Sequence, residues 1–271
     1  MVDRLLDLTR QAEANHFWYH GFRSYLLPVF AQAVAGRSHA RILDVGCGTG
    51  FNLGLLTKHG SVIGLDLNER GLTLARDVAR PLVRADTTHL PFEDATFDLV
   101  TSFDMMQCIP TDREAVREMA RVARPGGVVV ISMAALEILH GDHSEVWQEY
   151  RRYTRASARA LAEQAGLRVE RVTFMFAVLF PVLLISRGVQ RLTRRFREVR
   201  DDTDIAIPPA PVNALLSGLL KVEAALSRRS PSPPAVHRAC SGRRSLPTRT
   251  RSRCLPIRRR PPPRGRVGAS R

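Results

Sequence analysis

Residues 3–35 place Leu5, Leu6 and Leu8, then Phe17, Trp18, Tyr19 and Phe22, at spacings that predict helix. From Arg41 the pattern changes. Short apolar runs, "RILDV" (41–45), "SVIGLD" (61–66), "PLVRAD" (81–86), "FDLVTSF" (97–103) and "GVVVISM" (127–133), alternate with helical stretches such as 68–80 and 112–123. Repeated strand-then-helix units predict an α/β fold with a parallel sheet covered on both faces. "RPGG" (124–127) is a helix stop leading into a strand. Residues 155–165 predict a helix stopped by Gly166, and 168–174 a sixth strand. "IPPAP" (207–211) breaks the chain before a helix over 212–226, where Val212, Leu215, Leu216, Leu219, Leu220 and Leu226 share one face.

The segment 172–186, "VTFMFAVLFPVLLIS", is apolar but interrupted by Pro181, and its fifteen residues fall short of the ~20 that span a bilayer. Two readings stand: a buried strand running into a core helix, which is preferred, or a surface that rests on an anionic membrane through 172–197, with Arg187, Arg191, Arg194, Arg195 and Arg197 at the headgroups.

Charge changes the picture mainly at the C-terminus. The formal net charge is +15, but residues 227–271 hold fourteen arginines and no Asp, Glu or Lys, so 15 − 14 leaves about +1 on residues 1–226. A nucleic-acid enzyme normally carries its basic footprint on the folded body too, so nucleic acid is the weaker partner class. The tail has neither period nor apolar runs and is expected to be disordered. The four cysteines, Cys47, Cys108, Cys240 and Cys254, form no CxxC or His-spaced set. They suit no structural metal site and no disulfide framework, and they fit a cytoplasmic protein. The first twenty residues lack the apolar core of a signal peptide.

The candidate chemistry begins at "ILDVGCGTGFN" (42–52). A P-loop needs Lys-Ser/Thr after its last glycine, and here Phe51 and Asn52 follow Gly50. Gly46, Gly48 and Gly50 give G-x-G-x-G, one residue tighter than the dinucleotide fingerprint. Asp44, Asp66 and Asp86 end successive strands. Three carboxylates there would repel phosphate and suit a nucleoside bearing positive charge.

"LDVGCGTG", "GLDLN", "RADTTHLPFEDATFDLV" and "EMARVARPGG" together resemble, in order and spacing, the motifs of the class I S-adenosylmethionine-dependent methyltransferases. The resemblance covers roughly 40–135. The flanks 15–27 and 150–167 resemble small-molecule methyltransferases of the methyltransferase-11/12 type. The resemblance implies a Rossmann-like, doubly wound, mostly parallel sheet. Around it would lie an N-terminal helical lid (1–38), the main domain (39–226) and a basic tail (227–271). It implies that Gly46, Cys47, Gly48 and Gly50 form the S-adenosylmethionine loop and that Asp44 orients the aminoacyl end. Asp66 would bind the ribose, Leu67 would pack on adenine, and Asp86 with Thr87 would meet its amine. Phe103 and Asp104 would line the methyl-transfer side, and residues 15–27 would close over the cofactor without joining the core.

Methyl transfer from a sulfonium needs alignment and dryness more than acid–base groups. No catalytic residue stands out. His16, His20 and His143 are the candidate bases, each more simply read as a surface histidine, and no metal is expected. The segment "SFDMMQCIP" lacks the Asn/Asp-Pro-Pro-Tyr/Phe pattern that accompanies amino-group methylation of adenine or glutamine. Methylation of a small, lipophilic acceptor is the leading expectation. The alternative is an RNA-binding protein or RNA methyltransferase that uses the tail. The same family implies a seventh, antiparallel strand near the chain end, yet residues 227–271 offer eight prolines and no run of four apolar residues. A shift of reading frame in GC-rich coding DNA at about 227–232 would produce such a composition, with the strand lost and a sheet edge uncovered.

Overall fold

The alternation read from the sequence folds as a sheet of five parallel strands. These are β1 (Ala40–Val45), β2 (Gly60–Asp66), β3 (Leu82–Arg84), β4 (Phe97–Phe103) and β5 (Ala123–Ser132), in the order β3-β2-β1-β4-β5. The structure, a computed structural model, describes residues 2–78, 81–193, 206–229 and 237–239, all within one compact unit spanning 1–241. β1 is buried on both faces because alternate side chains enter different cores. Ile42 packs with Leu53, Val62, Leu99 and Val128, while Leu43 packs with Leu65, Val100, Met119 and Val129. Strand order reverses between β1 and β4, which opens a crevice at their C-terminal ends.

Helices α3 (Phe51–Leu56), α4 (Glu69–Ala75), α5 (Asp112–Val122), α6 (Asp142–Val146) and α7 (Arg155–Gln164) connect and cover the strands. The stretch 3–35 is two helices, α1 (Val2–Ala12) and α2 (Phe17–Ala33). The break comes at His16, an extended N-cap residue whose Nδ1 accepts from Trp18 N at 3.1 Å. α2 is more than a lid. Phe22, Leu26, Val29 and Phe30 share a face at helical spacing and are buried with the sheet. The expectation that 15–27 stays out of the core is therefore corrected at Phe22 and Leu26.

The C-terminal third differs most from its sequence reading. The sixth strand is shorter, β6 (Leu167–Val169), and 170–176 is irregular. The apolar segment then turns into α8 (Phe180–Thr193), with Pro181 in its first turn, where a missing N–H is harmless. α8 is not a core helix, as preferred above: Val182, Ile185, Val189 and Leu192 are 55–72% exposed, because α8 has protein on only one side. α9 (Ala210–Arg229) splits its apolar residues in the same way. Leu220 is buried against Gly21 of α2, whereas Val212, Leu215, Leu219, Val222 and Leu226 face solvent.

The expected loss of the last strand is also corrected. β7 (His237–Ala239) pairs antiparallel with β5 (Val129 opposite His237) and with β6 (Arg168 opposite Arg238). A three-residue strand between two ladders is held by backbone hydrogen bonds and needs no apolar run. The order closes as β5-β7-β6. Of the expected 227–271 tail, residues 230–236 and 240–271 lie outside the described residues, as do Arg194, Arg195 and Arg197.

Candidate active site

The crevice beside β1 and β4 is one wall of a cavity of about 1790 Å³. Small-ligand pockets are typically ~300–1,000 Å³, so this one has room for two ligands side by side. Its donor wall is loop backbone. Gly48 lies at φ 52°, and a Cβ there would meet nothing within 4 Å, so the backbone faces open cavity. Gly48 N donates to Asp66 Oδ2 and Asn68 N to Oδ1, both at 2.8 Å. These two bonds tie the glycine loop to the end of β2. Each Asp66 oxygen keeps a lone pair for a hydroxyl donor. Burial raises the Asp66 pKa, against those backbone bonds.

Leu67 follows, 59% exposed although large and apolar, and lines the cavity. Asp86 Oδ1 accepts from Thr88 N and Thr88 Oγ1, both at 2.8 Å, which lowers its pKa. Buried Thr87 lies beside it in the wall. At the end of β4, Phe103 meets Phe22 edge-on at 5.7 Å. Asp104 sits at φ 49°, and its Oδ1 accepts from Ser132 Oγ at 2.9 Å. Water in the cavity reaches Asp104, yet the carboxylate lies deep within the protein envelope. That depth raises its pKa, against the Ser132 bond.

Gly46, Cys47, Gly48, Asp66, Leu67, Asp86, Thr87, Phe103 and Asp104 thus come together in one wall. Asp44 and Gly50 stand behind it. Asp44 is 1% exposed, paired between Gly64 of β2 and Thr101 of β4, and accepts from Thr101 Oγ1 at 2.6 Å. Its burial raises the pKa to about 7. Gly50, at φ 78°, lets α3 pass α4: a Cβ would come within 2.6 Å of Ala75 Cβ.

Sequence reasoning missed Glu13, Thr49 and Arg23 as residues of this wall. Glu13, at the end of α1, is buried in the wall and accepts from Thr49 Oγ1 at 2.7 Å; burial raises its pKa to about 7. Arg23 donates to Glu13 O and lies 4.0 Å over the Phe51 ring. Glu13 and Thr49 are 36 residues apart, and no local spacing signals their meeting.

The opposite wall is aromatic and aliphatic. Trp18 packs on Phe176 at 4.2 Å, and Tyr25 meets the same ring at 5.9 Å, beside Leu179 and Leu183.

Residues 43–131 match the Methyltransf_11 family model, a methyltransferase domain. Over these residues the chain is similar to the class I S-adenosylmethionine-dependent methyltransferases. A phthiotriol/phenolphthiotriol dimycocerosates methyltransferase of Mycobacterium tuberculosis is 38% identical over 94 residues, 32% of this chain and 35% of that protein. A phosphatidylethanolamine N-methyltransferase of Cereibacter sphaeroides is 37% identical over 99 residues, 34% of this chain and 49% of the other. The matches therefore span about a third to a half of these curated relatives. Among solved structures, a chain from the complex of the Haloferax volcanii Trm112 methyltransferase activator with a methyltransferase has the same fold. Its TM-score is 0.56 at 20% identity, covering 89% of this chain and 96% of that one.

Within this methyltransferase fold the histidines have distinct placements. His16 lines the cavity, but its ring caps α2 and meets the Ala206 backbone, and burial lowers its pKa. His20 is not among the residues of the cavity wall. His143 is, near Trp147 at 6.1 Å. Burial pushes the Cys47 thiol far above its ordinary range and Cys108 to about 12, so neither is a thiolate near neutrality.

Proposed function

We propose that this chain transfers a methyl group from S-adenosylmethionine to a lipophilic small-molecule acceptor at the surface of an anionic membrane. The observation that carries the reading is the single cavity with two unlike walls. On the donor wall, Asp66 offers acceptors to ribose hydroxyls, and exposed Leu67 offers an apolar face to adenine. Asp86 keeps Oδ2 for an amine donor. Glu13, Asp66 and Asp104 make that wall electronegative, which suits a ligand carrying a sulfonium and an ammonium. When bound, the cofactor supplies an electrophilic methyl group whose leaving thioether departs neutral.

The remaining work falls to this chain. Phe22, Phe103 and Trp18 exclude water, and the apolar wall orients an acceptor against the end of β4. If the acceptor must lose a proton, Asp104 and His143 are the wall groups that can take it, Asp104 aided by its raised pKa. The names of the Mycobacterium and Cereibacter relatives, which refer to lipid substrates, support a lipophilic acceptor here.

Membrane contact rests on α8 and α9. No described helix is long and apolar enough to cross a bilayer. The outer face of α8 nevertheless exposes Val182, Ile185, Val189 and Leu192, while its Leu183 and Ser186 line the cavity. Exposed Lys221 and the fourteen arginines of 227–271 complement anionic headgroups.

The test is calorimetry of the full chain with S-adenosylmethionine, S-adenosylhomocysteine and NAD, followed by labelled-methyl transfer to lipid, small-molecule and RNA extracts. Binding of the first two with label in the lipid fraction is expected. Label confined to RNA would replace this reading with the RNA alternative.

A further inference from the structure

Two residues beyond β6, at the sheet end that carries the cavity, Arg171 is buried at 6% exposure. Its Nη2 donates to Ser227 O at 3.2 Å and Ser227 Oγ at 3.0 Å. Its Nη1 is buried with no hydrogen-bond partner. Close neighbours screen the guanidinium from water although it lies near the rim of the molecule, and it stays protonated at any ordinary pH.

No acid answers this charge among the described residues. Glu170, next to it, pairs with Arg168 at 3.0 Å. Glu223 of α9 accepts instead from Ala177 N at 2.7 Å and Val178 N at 3.1 Å. The charged neighbour that Arg171 does feel is another cation, Arg155. Arg155 opens α7, at the positive end of that helix, and its guanidinium lies 5.4 Å over the Phe174 ring. Arg171, Arg155, Ser227 and Arg228 all line the large cavity. A screened guanidinium with an idle donor, beside two further cations in a ligand cavity, is costly unless an anion completes it.

We infer that Arg171, with Arg155, Ser227 and Arg228, holds the anionic oxygen group of an amphiphile whose apolar body lies along Phe174, Phe176, Leu179 and Leu183. Calling that amphiphile the methyl acceptor rests on the proposed function; the subsite itself does not. A guanidinium presents two parallel N–H donors to a phosphate or carboxylate, and Ser227 holds Nη2 so that Nη1 is left for the ligand. The apolar stretch that follows gives an alkyl chain a continuous wall. The acceptor class is then narrower than lipophilic: it is an anionic amphiphile.

The test uses calorimetry of the full chain with dodecyl phosphate, dodecanol and inorganic phosphate. Dodecyl phosphate should bind about tenfold tighter than dodecanol, the scale of a charged hydrogen bond. Arg171→Gln should abolish that preference while leaving dodecanol binding unchanged, and Arg155→Gln should reduce it in part. The Arg155 variant, on an exposed residue, reads the site if Arg171→Gln does not fold. Equal binding of the two alkyl compounds, or a preference that survives both substitutions, overturns the inference. Inorganic phosphate binding as tightly as dodecyl phosphate, with the same dependence on Arg171, would make this a free-anion site and overturn the amphiphile assignment. S-adenosylmethionine is titrated into the same samples. If it fails to bind while dodecyl phosphate binds, the methyltransferase proposal falls and the subsite stands.

Discussion

On its donor side the cavity is walled by loop backbone, held by bonds to its own or a neighbouring strand end: Gly48 N and Asn68 N on Asp66, Thr88 N on Asp86, Asp104 N on Ser132. On the other side it is walled by side chains from α2, α8, α9 and the 170–176 segment, whose outer faces are apolar and wet. The first wall is tied together by bonds that repeat at successive strand ends along the sheet. The second is joined by contacts between distant parts of the chain. Phe17 N donates to Asn213 Oδ1 across 196 residues, and Gly21 packs on Leu220.

The largest expected effect tests the donor wall. Asp66→Ala removes the ribose acceptor and leaves two backbone donors unpaired, so S-adenosylmethionine affinity should fall by about 1.5–3 kcal/mol, the range for a charged hydrogen bond. Calorimetry reads it. Unchanged affinity would mean the ligand lies elsewhere, and the contrast between the walls would collapse.

Next comes the seam of the cover. A Cβ on Gly21 would lie 2.8 Å from Leu220 Cβ at the α2–α9 crossing. Gly21→Ala should therefore destabilise the protein by about 1–3 kcal/mol through overpacking. Cofactor affinity should stay near wild type at temperatures where the variant is folded. A denaturant melt and a titration separate the two. If affinity falls with stability, the walls are coupled more tightly than their bonding suggests.

The difference in bonding also explains what could be read from the sequence. The five parallel strands, the glycine turn and the acids Asp66 and Asp86 follow from local rules, an apolar run ending in an acid or a glycine turn, while the other wall residues were implied by the family resemblance. The cover does not. α8 looked like a core helix because composition says that Val182 and Ile185 are apolar, but not that nothing covers them. Glu13 meets Thr49 only after α1 docks on the sheet. β7 was invisible because three residues between two ladders need no hydrophobic signal. Asp44 shows what a motif leaves open: the pairing of β1 with both neighbours buries it behind the loop, so that it acts on a ligand only through the loop or water.

A smaller effect is expected on the outer face of the cover. Replacing Ile185 and Leu192 together with Glu removes two apolar side chains that are 69% and 72% exposed. Binding to vesicles rich in phosphatidylglycerol should weaken by about 1–2 kcal/mol, since each half-exposed chain buries part of its ~1.5–3 kcal/mol transfer energy. Stability in solution should change by no more than about 0.5 kcal/mol, as usual for surface sites. Vesicle co-sedimentation decides it. Undiminished binding would leave the apolar stripe without a membrane role.

The smallest effect asks which buried acid reads the cationic end of the cofactor. Glu13, brought to the donor wall by α1, and Asp44, behind the donor loop, both have pKa values raised to about 7, in each case by burial. A raised carboxyl favours the neutral form in the folded protein. Its stabilising contribution is complete below the unfolded value near 4 and is lost as pH rises through 7, so the apoprotein should weaken across that window and level off above it. A cationic ligand prefers the ionised form. Cofactor affinity should therefore rise about tenfold between pH 6 and pH 8, the ionisation change of one group with a pKa near 7. Calorimetry in buffers of different ionisation enthalpy should show proton release at pH 7. Glu13 lines the cavity and Asp44 does not, so Glu13→Gln should flatten the profile while Asp44→Asn leaves its slope in place. The opposite result would assign the ammonium to the strand-end acid, acting through the loop. The donor wall would then read the cofactor's charge without Glu13.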